Sequence, residues 1–396
     1  MRVVTINSGN HGSVGKIISG IAKIARTRGY ESFLFCPPGR MQTQFLANNF
    51  FIGTRFERRC SDLANYIAGT QGSFNCFSTI QLTKRIDHIN PDIIHLHNLH
   101  SNYVNLQILF DYLKDYKGRI VWTFHDCWPF TGHCPHFEVE GCYKWLNECK
   151  KCPLYREYPQ NLIDRSNYLF NKKKKLFTSL NKLDVVTPSM WLKNYVDQSF
   201  LSQYNIHCIA NGIDLNLFSP TESQFREKYS IGNKFIILSV AFSWGYKKGL
   251  DRLENLANRL ENKFQIVIVG IDPSLVKNKK IICIPRTANH KELAEIYTTS
   301  DVFLNPTRED TFPTVNLESL ACGTPVLTYG AGGSAEAIDD TCGTVVNEDN
   351  VIATIHKLFN HNYNSVDCIN RVKHYSDIAK FSEYVDLFEK LLDLKE

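Results

Sequence analysis

Short apolar, β-branched runs alternate along the chain with longer stretches in which apolar positions recur every three or four residues. The first kind reads as strands buried on both faces, the second as amphipathic helices, and their alternation is the pattern of βαβ units and parallel sheets. In the first half the pattern predicts strands over Arg2–Asn7, Ser32–Cys36, Asp92–His97, Arg119–His125 and Asp184–Pro188. In the second half it predicts Lys234–Val240, Phe264–Val269, Lys280–Ile284, Val302–Asn305 and Pro325–Thr328. Helical periodicity fills the gaps, as in Leu250–Leu260, His290–Thr299 and Val315–Ala321. Each half has enough strands for a doubly wound sheet of its own. The expected fold is therefore α/β, two Rossmann-like domains facing a cleft.

The boundary is expected at the turn Asn211-Gly212-Ile213-Asp214, with Pro220 shortly after it. This gives a first domain over 1–205, a second over 206–375, and a last segment over 376–396. That segment holds helical periodicity from Asp377 to Leu394 and is expected to pack back on the first domain. In open parallel sheets ligands bind beyond the carboxyl ends of the strands, so residues just after strands are the candidates for chemistry.

Composition narrows the class. The 396 residues are 43% hydrophobic and 21% charged, which excludes disorder and fibrous repeats. A net charge of +5 is small for a dedicated nucleic-acid binder. The amino terminus lacks the basic start and long apolar run of a secretory signal, and no run approaches the roughly 18 apolar residues of a membrane span. A soluble, cytoplasmic protein is expected, and there the 13 cysteines stay reduced.

Gly9, Gly12 and Gly15 come after the first strand and precede a helix expected to start near Lys16. Backbone N–H groups at Gly12 and Ser13 suit an anion. Neither the P-loop nor the dinucleotide fingerprint is matched, because both need glycine at Asn10. A tight strand-to-helix turn explains the glycines equally well.

The most informative stretch runs from Asn305 to Val326. A strand ends at Asn305, a polar loop carries Glu309 and Asp310, and Pro313 suits the first turn of a helix that stops at Gly323. The N–H groups of Thr314 and Val315 then stand near the carboxylates of Asp310 and Glu318. Such a set suits a ligand that carries both phosphates and hydroxyls, such as a nucleotide sugar. Asp310 as a mere helix cap is the plainer reading, but a cap leaves Glu318 unexplained.

This segment resembles glycosyltransferase family 4, the retaining enzymes of the GT-B fold. Asp310 and Glu318 have the spacing of the family's two acids, and Leu320-Ala321-Cys322-Gly323-Thr324-Pro325-Val326 matches the family's next segment. Lys247-Lys248-Gly249-Leu250-Asp251 resembles the family's Arg-Lys-Gly segment, and Gly332-Gly333-Ser334 its late glycine pair. Asp92-Ile93-Ile94-His95-Leu96-His97 and Thr123-Phe124-His125-Asp126 resemble the acceptor-facing strand ends, with motifs in order along essentially the whole chain. Three positions depart from the pattern: Asp310 stands in place of the first glutamate, Pro313 replaces a common glycine, and Phe242 replaces an arginine.

The resemblance implies transfer of a sugar from a nucleotide-diphosphate sugar to an acceptor hydroxyl with retention, and no metal for catalysis. It implies His125 and Asp310 as catalytic residues. Gly12, Ser13, Lys247, Lys248, Phe312, Thr314, Val315 and Glu318 are implied for the donor, with Glu318 on the ribose and Asp310 on the sugar. His95 and His97 line or support the acceptor side. The sequence also resembles transferases of bacterial polysaccharide, O-antigen and colanic acid synthesis, so the implied acceptor is lipid-linked or a growing oligosaccharide. Competing readings are a GT-B nucleotide-sugar epimerase and a zinc-containing nucleic-acid-binding protein. The latter leaves Asp310 and Glu318 without a purpose.

Two features lie outside that chemistry. Cys134, Cys142, Cys149 and Cys152 occupy a loop-like insertion over about 127–159, spaced C-x₇-C-x₆-C-x₂-C. A structural zinc, buried thiols and a redox pair at Cys149 and Cys152 all suit that spacing. Lys172 to Lys175 lie among Tyr168, Leu169, Phe170, Leu176 and Phe177. That run is either a solvated face or a peripheral contact with the inner face of a membrane.

Overall fold

The computed structural model describes residues 1–39, 48–361 and 363–393. Two parallel sheets carry the molecule. The first has seven strands in the order β3-β2-β1-β4-β5-β6-β7. These are β1 Arg2–Ile6, β2 Glu31–Cys36, β3 Asn49–Phe51, β4 Ile93–Leu96, β5 Arg119–Thr123, β6 Leu183–Thr187 and β7 Asn205–Cys208. The second has six, in the order β10-β9-β8-β11-β12-β13. They are β8 Phe235–Val240, β9 Phe264–Val269, β10 Ile282–Ile284, β11 Val302–Asn305, β12 Val326–Tyr329 and β13 Gly343–Val346.

All ten strands read from the apolar runs are present, and three more join them. β3, β7 and β13 are edge strands. The Asn-Ile-His-Cys of β7 is half to fully exposed.

Each inner strand buries both faces, with period two. Val4, Ile94, Ile120 and Val185 face one helical layer, and Val3, Ile93, Val121 and Val186 face the other. In the second sheet Ile236, Val267 and Phe303 alternate in the same way with Ile237, Ile266 and Val302.

The chain forms two compact units, one of residues 1–209 together with the chain from Lys380 onward, the other of Ala210–Ala379. The helix Asp377–Asp393 carries the chain back into the first unit. There Phe381, Tyr384, Val385 and Phe388 join Val3, Ile17, Ile21 and Val121 in one apolar cluster. Gly20 makes that docking fit, since a Cβ there would lie 2.0 Å from the Phe381 ring. Leu394, the expected end of this helix, lies outside the described residues.

In each sheet the strand order reverses once, between β1 and β4 and between β8 and β11. The segments beyond the carboxyl ends of those strands are where an open α/β sheet takes a ligand.

Candidate active site

In the C-terminal unit the switch point brings two loops together. The loop after β8 carries Lys247 and Lys248, and the loop after β11 carries Glu309 and Asp310. Lys248 Nζ lies 2.6 Å from Asp310 Oδ2, both partly open to solvent, while Lys247 Nζ lies 3.5 Å from the buried Glu309 Oε2. The two acids are thus sorted: Asp310 stands with Lys248, and Glu309 is turned inward.

Backbone bonds set this geometry. Arg308 N–H and Thr307 Oγ1 donate to the Lys247 carbonyl at 2.8 and 3.3 Å. Gly249 has φ +75°, and a Cβ on it would stand 2.2 Å from the Pro306 carbonyl oxygen, so only glycine lets the loops meet so closely. Gly332, at φ +58°, closes on the Asp310 carbonyl in the same way, and Gly333 N–H donates to that oxygen at 3.2 Å.

The loop leads into the helix Thr314–Ala321, whose N-cap is Pro313 and whose first turn receives no side-chain cap. Asp310 is therefore not a helix cap, and the half-buried Thr314 and Val315 begin the helix with N–H groups free for an anion. Glu318, one turn on, accepts from Tyr297 Oη at 3.1 Å. Phe312 corrects its expected role: its ring is buried in the core and meets Tyr375 at 5.9 Å, so it supports the loop from below. Asn305 and Asn316 were missed from the sequence. Asn305 Nδ2 donates to Asn316 Oδ1 and Asn316 Nδ2 to the Ser334 carbonyl, both at 2.9 Å. That pair ties the end of β11 to the helix and to the glycine turn. In the sequence both amides are lost among the polar residues of the loop between them.

In the N-terminal unit the helix after β1 starts at Gly12, one turn before the expected Lys16. Gly12 and Ser13 are exposed at its start, and its N-cap His11 makes no side-chain cap. Gly15 is required by packing, because a Cβ would lie 2.5 Å from the Asn10 carbonyl carbon.

A pocket opens beyond β4 and β5, lined by His97, His100, His125, Asp126, Trp122 and Trp128 among others. His97 Nδ1 and His125 Nε2 are 2.9 Å apart, and His95 Nε2 meets Thr123 Oγ1 at 2.8 Å. Burial pushes His125 down to about 4 and His95 to about 3, and lowers His97 well below the usual range. At neutral pH these rings are uncharged. Burial raises Asp126, but His100, whose Nε2 is 3.2 Å from Asp126 Oδ2, together with His136 and the Trp128 N–H, lowers it overall and holds the carboxylate ionised. His97 and His100 are the residues whose part here was undervalued in the sequence.

The insertion has more core than its loop-like composition suggested. Trp128, Phe130, Phe137 and Trp145 are buried in the main cluster of the unit. Cys134, Cys142, Cys149 and Cys152 line one pocket beside Trp145. Gly132 N–H donates to Cys149 Sγ at 3.2 Å. Burial pushes Cys149 up to about 11 and Cys152 to about 12, and lifts Cys134 further, so these three thiols are protonated. Among the described residues no group of three or more His, Cys, Asp or Glu side chains is set to hold a metal ion as it stands.

The basic run is not a free surface. Lys173 is fully buried, stacks 3.6 Å from the Trp128 ring, and donates to the Trp128 and Thr131 carbonyls at 2.8 and 3.1 Å. Burial pushes its ammonium down to about 7. Lys172 Nζ donates to Ser73 Oγ at 3.0 Å, and Leu169, Phe170, Leu176 and Phe177 are core residues. Lys174 and Lys175 alone of the four are exposed.

Comparison with known proteins agrees with this arrangement. Residues 14–217 match the family described as Glycosyltransferase Family 4, and residues 221–372 match Glycosyl transferases group 1. The chain belongs to glycosyltransferase family 4, and it is a glycosyltransferase of the hexosyltransferase type. It is 27% identical over 304 residues to the putative colanic acid biosynthesis glycosyl transferase WcaC of Escherichia coli, covering 72% of this chain and 70% of that one. It is 33% identical over 136 residues to a GDP-mannose-dependent alpha-mannosyltransferase of Mycobacterium tuberculosis, 34% of this chain and 36% of that one. Among solved structures, sucrose-phosphate synthase from Thermosynechococcus elongatus superposes with a TM-score of 0.71 at 15% identity, covering 100% of both chains. Anabaena HepE in complex with UDP gives 0.69 at 12%, covering 98% of this chain and 100% of that one. These likenesses show the fold, the two-sheet GT-B architecture.

Proposed function

We propose that the enzyme transfers a sugar from a nucleotide-diphosphate sugar to an acceptor hydroxyl, with retention at the anomeric carbon. The reading rests above all on the Lys248–Asp310 pair, 2.6 Å apart at the switch point beside an uncapped helix start. A leaving diphosphate gains charge as the glycosidic bond breaks, and a fixed cation with N–H dipoles aimed at it stabilises that charge. Lys248, with Lys247 beside it, and the Thr314 and Val315 N–H groups fill this role. Asp310 holds sugar hydroxyls and Glu318 the ribose. Neutral His125 hydrogen-bonds the reacting sugar or acceptor and helps move the acceptor proton. This chemistry needs no metal.

The acceptor in this reading is a lipid-linked or growing oligosaccharide, met at the cytoplasmic face of the membrane. For the cysteines we propose a structural zinc, bound once the thiol side chains turn in toward their shared pocket; fewer than about one zinc per chain in the native protein removes it. Thermal-shift titration with UDP-, GDP- and dTDP-sugars identifies the donor. Loss of that response together with loss of transfer in both Lys248→Ala and Glu318→Ala is the expected result. Turnover and donor affinity near wild type in both variants would displace the site.

A further inference from the structure

Lys173 is 1% exposed, yet its hydrogen bonds go to two neutral carbonyls, those of Trp128 and Thr131, and its ammonium lies 3.6 Å from the Trp128 ring. A buried ammonium is costly unless an anion accompanies it. Asp126 favours its charge but already accepts from His100 and from the Trp128 N–H. Cys134 and Cys149 favour that charge more than Asp126 does, although as thiols they carry none. The counter-charge that Lys173 lacks is one these sulfurs supply once ionised.

Other donors meet the same sulfurs. Gly132 N–H donates to Cys149 Sγ at 3.2 Å, an approach that needs glycine, because a Cβ there would stand 2.7 Å from Cys149 Cβ. A backbone bond from Leu154 favours the ionised form of Cys152. Trp145 lines the thiol pocket and is 2% exposed, and its Nε1–H has no hydrogen-bond partner among the described residues. A buried N–H left unmade lowers stability, so it marks a partner still to come. A neutral thiol is a weak acceptor and asks little of such donors. N–H groups and an ammonium gathered round four sulfurs are the surroundings of thiolates.

We propose that Lys173 and Trp145 are the outer shell of a metal–thiolate centre at Cys134, Cys142, Cys149 and Cys152, the ammonium balancing part of its negative charge and the indole N–H donating to a sulfur. Four thiolates round Zn²⁺ leave a net double negative charge inside the protein, and outer-shell groups set how tightly such a centre holds its metal. The thiols release their protons to solvent as they bind. Through Lys173 the centre is tied to Trp128, whose N–H bonds Asp126 in the histidine pocket. The proposal rests on the zinc reading and not on sugar transfer, and the two fail separately in the experiment below.

The test loads the full chain with zinc alone, counts bound metal by elemental analysis and reads affinity by competition with a chromophoric chelator. Loading with Co²⁺ is followed by its thiolate charge-transfer band, which reports sulfur ligands. Wild type is expected to hold about one zinc and to show the cobalt band. Lys173→Met and Trp145→Phe are each expected to hold zinc about ten- to a hundredfold more weakly. Trp145→Phe removes no hydrogen bond of the described fold, so it reads the effect even where Lys173→Met is too unstable to purify. Lys150, which lines the same pocket but is exposed and paired with Glu148, is the control: Lys150→Met is expected to bind as wild type. If either folded variant holds zinc as tightly as wild type, or if Lys150→Met weakens it equally, the proposal is overturned and the zinc reading stands. A wild type with neither zinc nor cobalt band removes both.

Discussion

The two switch points of this molecule share one architecture and differ in their electrostatics. Beyond β8 and β11 stand a partly open Lys248–Asp310 pair, a second pair at Lys247 and Glu309, and an uncapped helix start. Beyond β4 and β5 stand buried rings that burial keeps neutral, with Asp126 and His100 beside them. The first suits a group that gains charge in the reaction, the second a group that exchanges a proton. Equivalent positions of similar sheets thus carry opposite electrostatic characters, one charged and one neutral.

Removing the cation should break the charged side most severely. Lys248→Met is expected to lower transfer about a hundredfold or more, the scale of one lost electrostatic donor, with the melting temperature unchanged. A fall below threefold in steady-state rate would refute its role. On the neutral side, His125→Asn is expected to lower kcat about a hundredfold while donor KM stays near wild type. A rise in donor KM with kcat retained would instead move His125 to donor binding.

Stability sharpens the contrast further. Lys173→Met leaves the Trp128 and Thr131 carbonyls without their donor and should cost about 2 kcal/mol in chemical denaturation. A variant as stable as wild type would mean that another group satisfies those carbonyls. The neutral cluster is also read in pH. The folded state depresses His95 to about 3, so between there and its ordinary value the unfolded chain binds a proton that the folded chain does not. Stability should therefore fall as pH drops below about 6.5, by about 1 kcal/mol at pH 5.5 from His95 alone. His97, His125 and His133 add to it in the same direction. The loss should begin in the N-terminal unit, which limited proteolysis at pH 5.5 and 7.5 can read; a melting temperature flat across that range contradicts the neutral cluster.

Ten of the strands described, the two-sheet architecture and the family were legible in the sequence. The reason is local: an inner parallel strand must be apolar on both faces, and the loop from Asn305 to Gly323 carries its spacing within one continuous stretch. What required tertiary structure were the pairings between distant segments. Whether Glu309 or Asp310 meets the exposed lysine depends on how the loop after β11 crosses the loop after β8, which the close approach at Gly249 decides. Phe312 and Lys173 looked like site and surface residues, yet packing buries the first against Tyr375 and the second under Trp128. The helix Arg55–Ala68 shows the reverse: its stripe of Phe56, Leu63 and Ile67 is exposed, since an apolar stripe at helical spacing states only that one face is greasy. Which way that face points is set by the neighbours, and here a polar seat for Ser61 and Asn65 turns it to the outside.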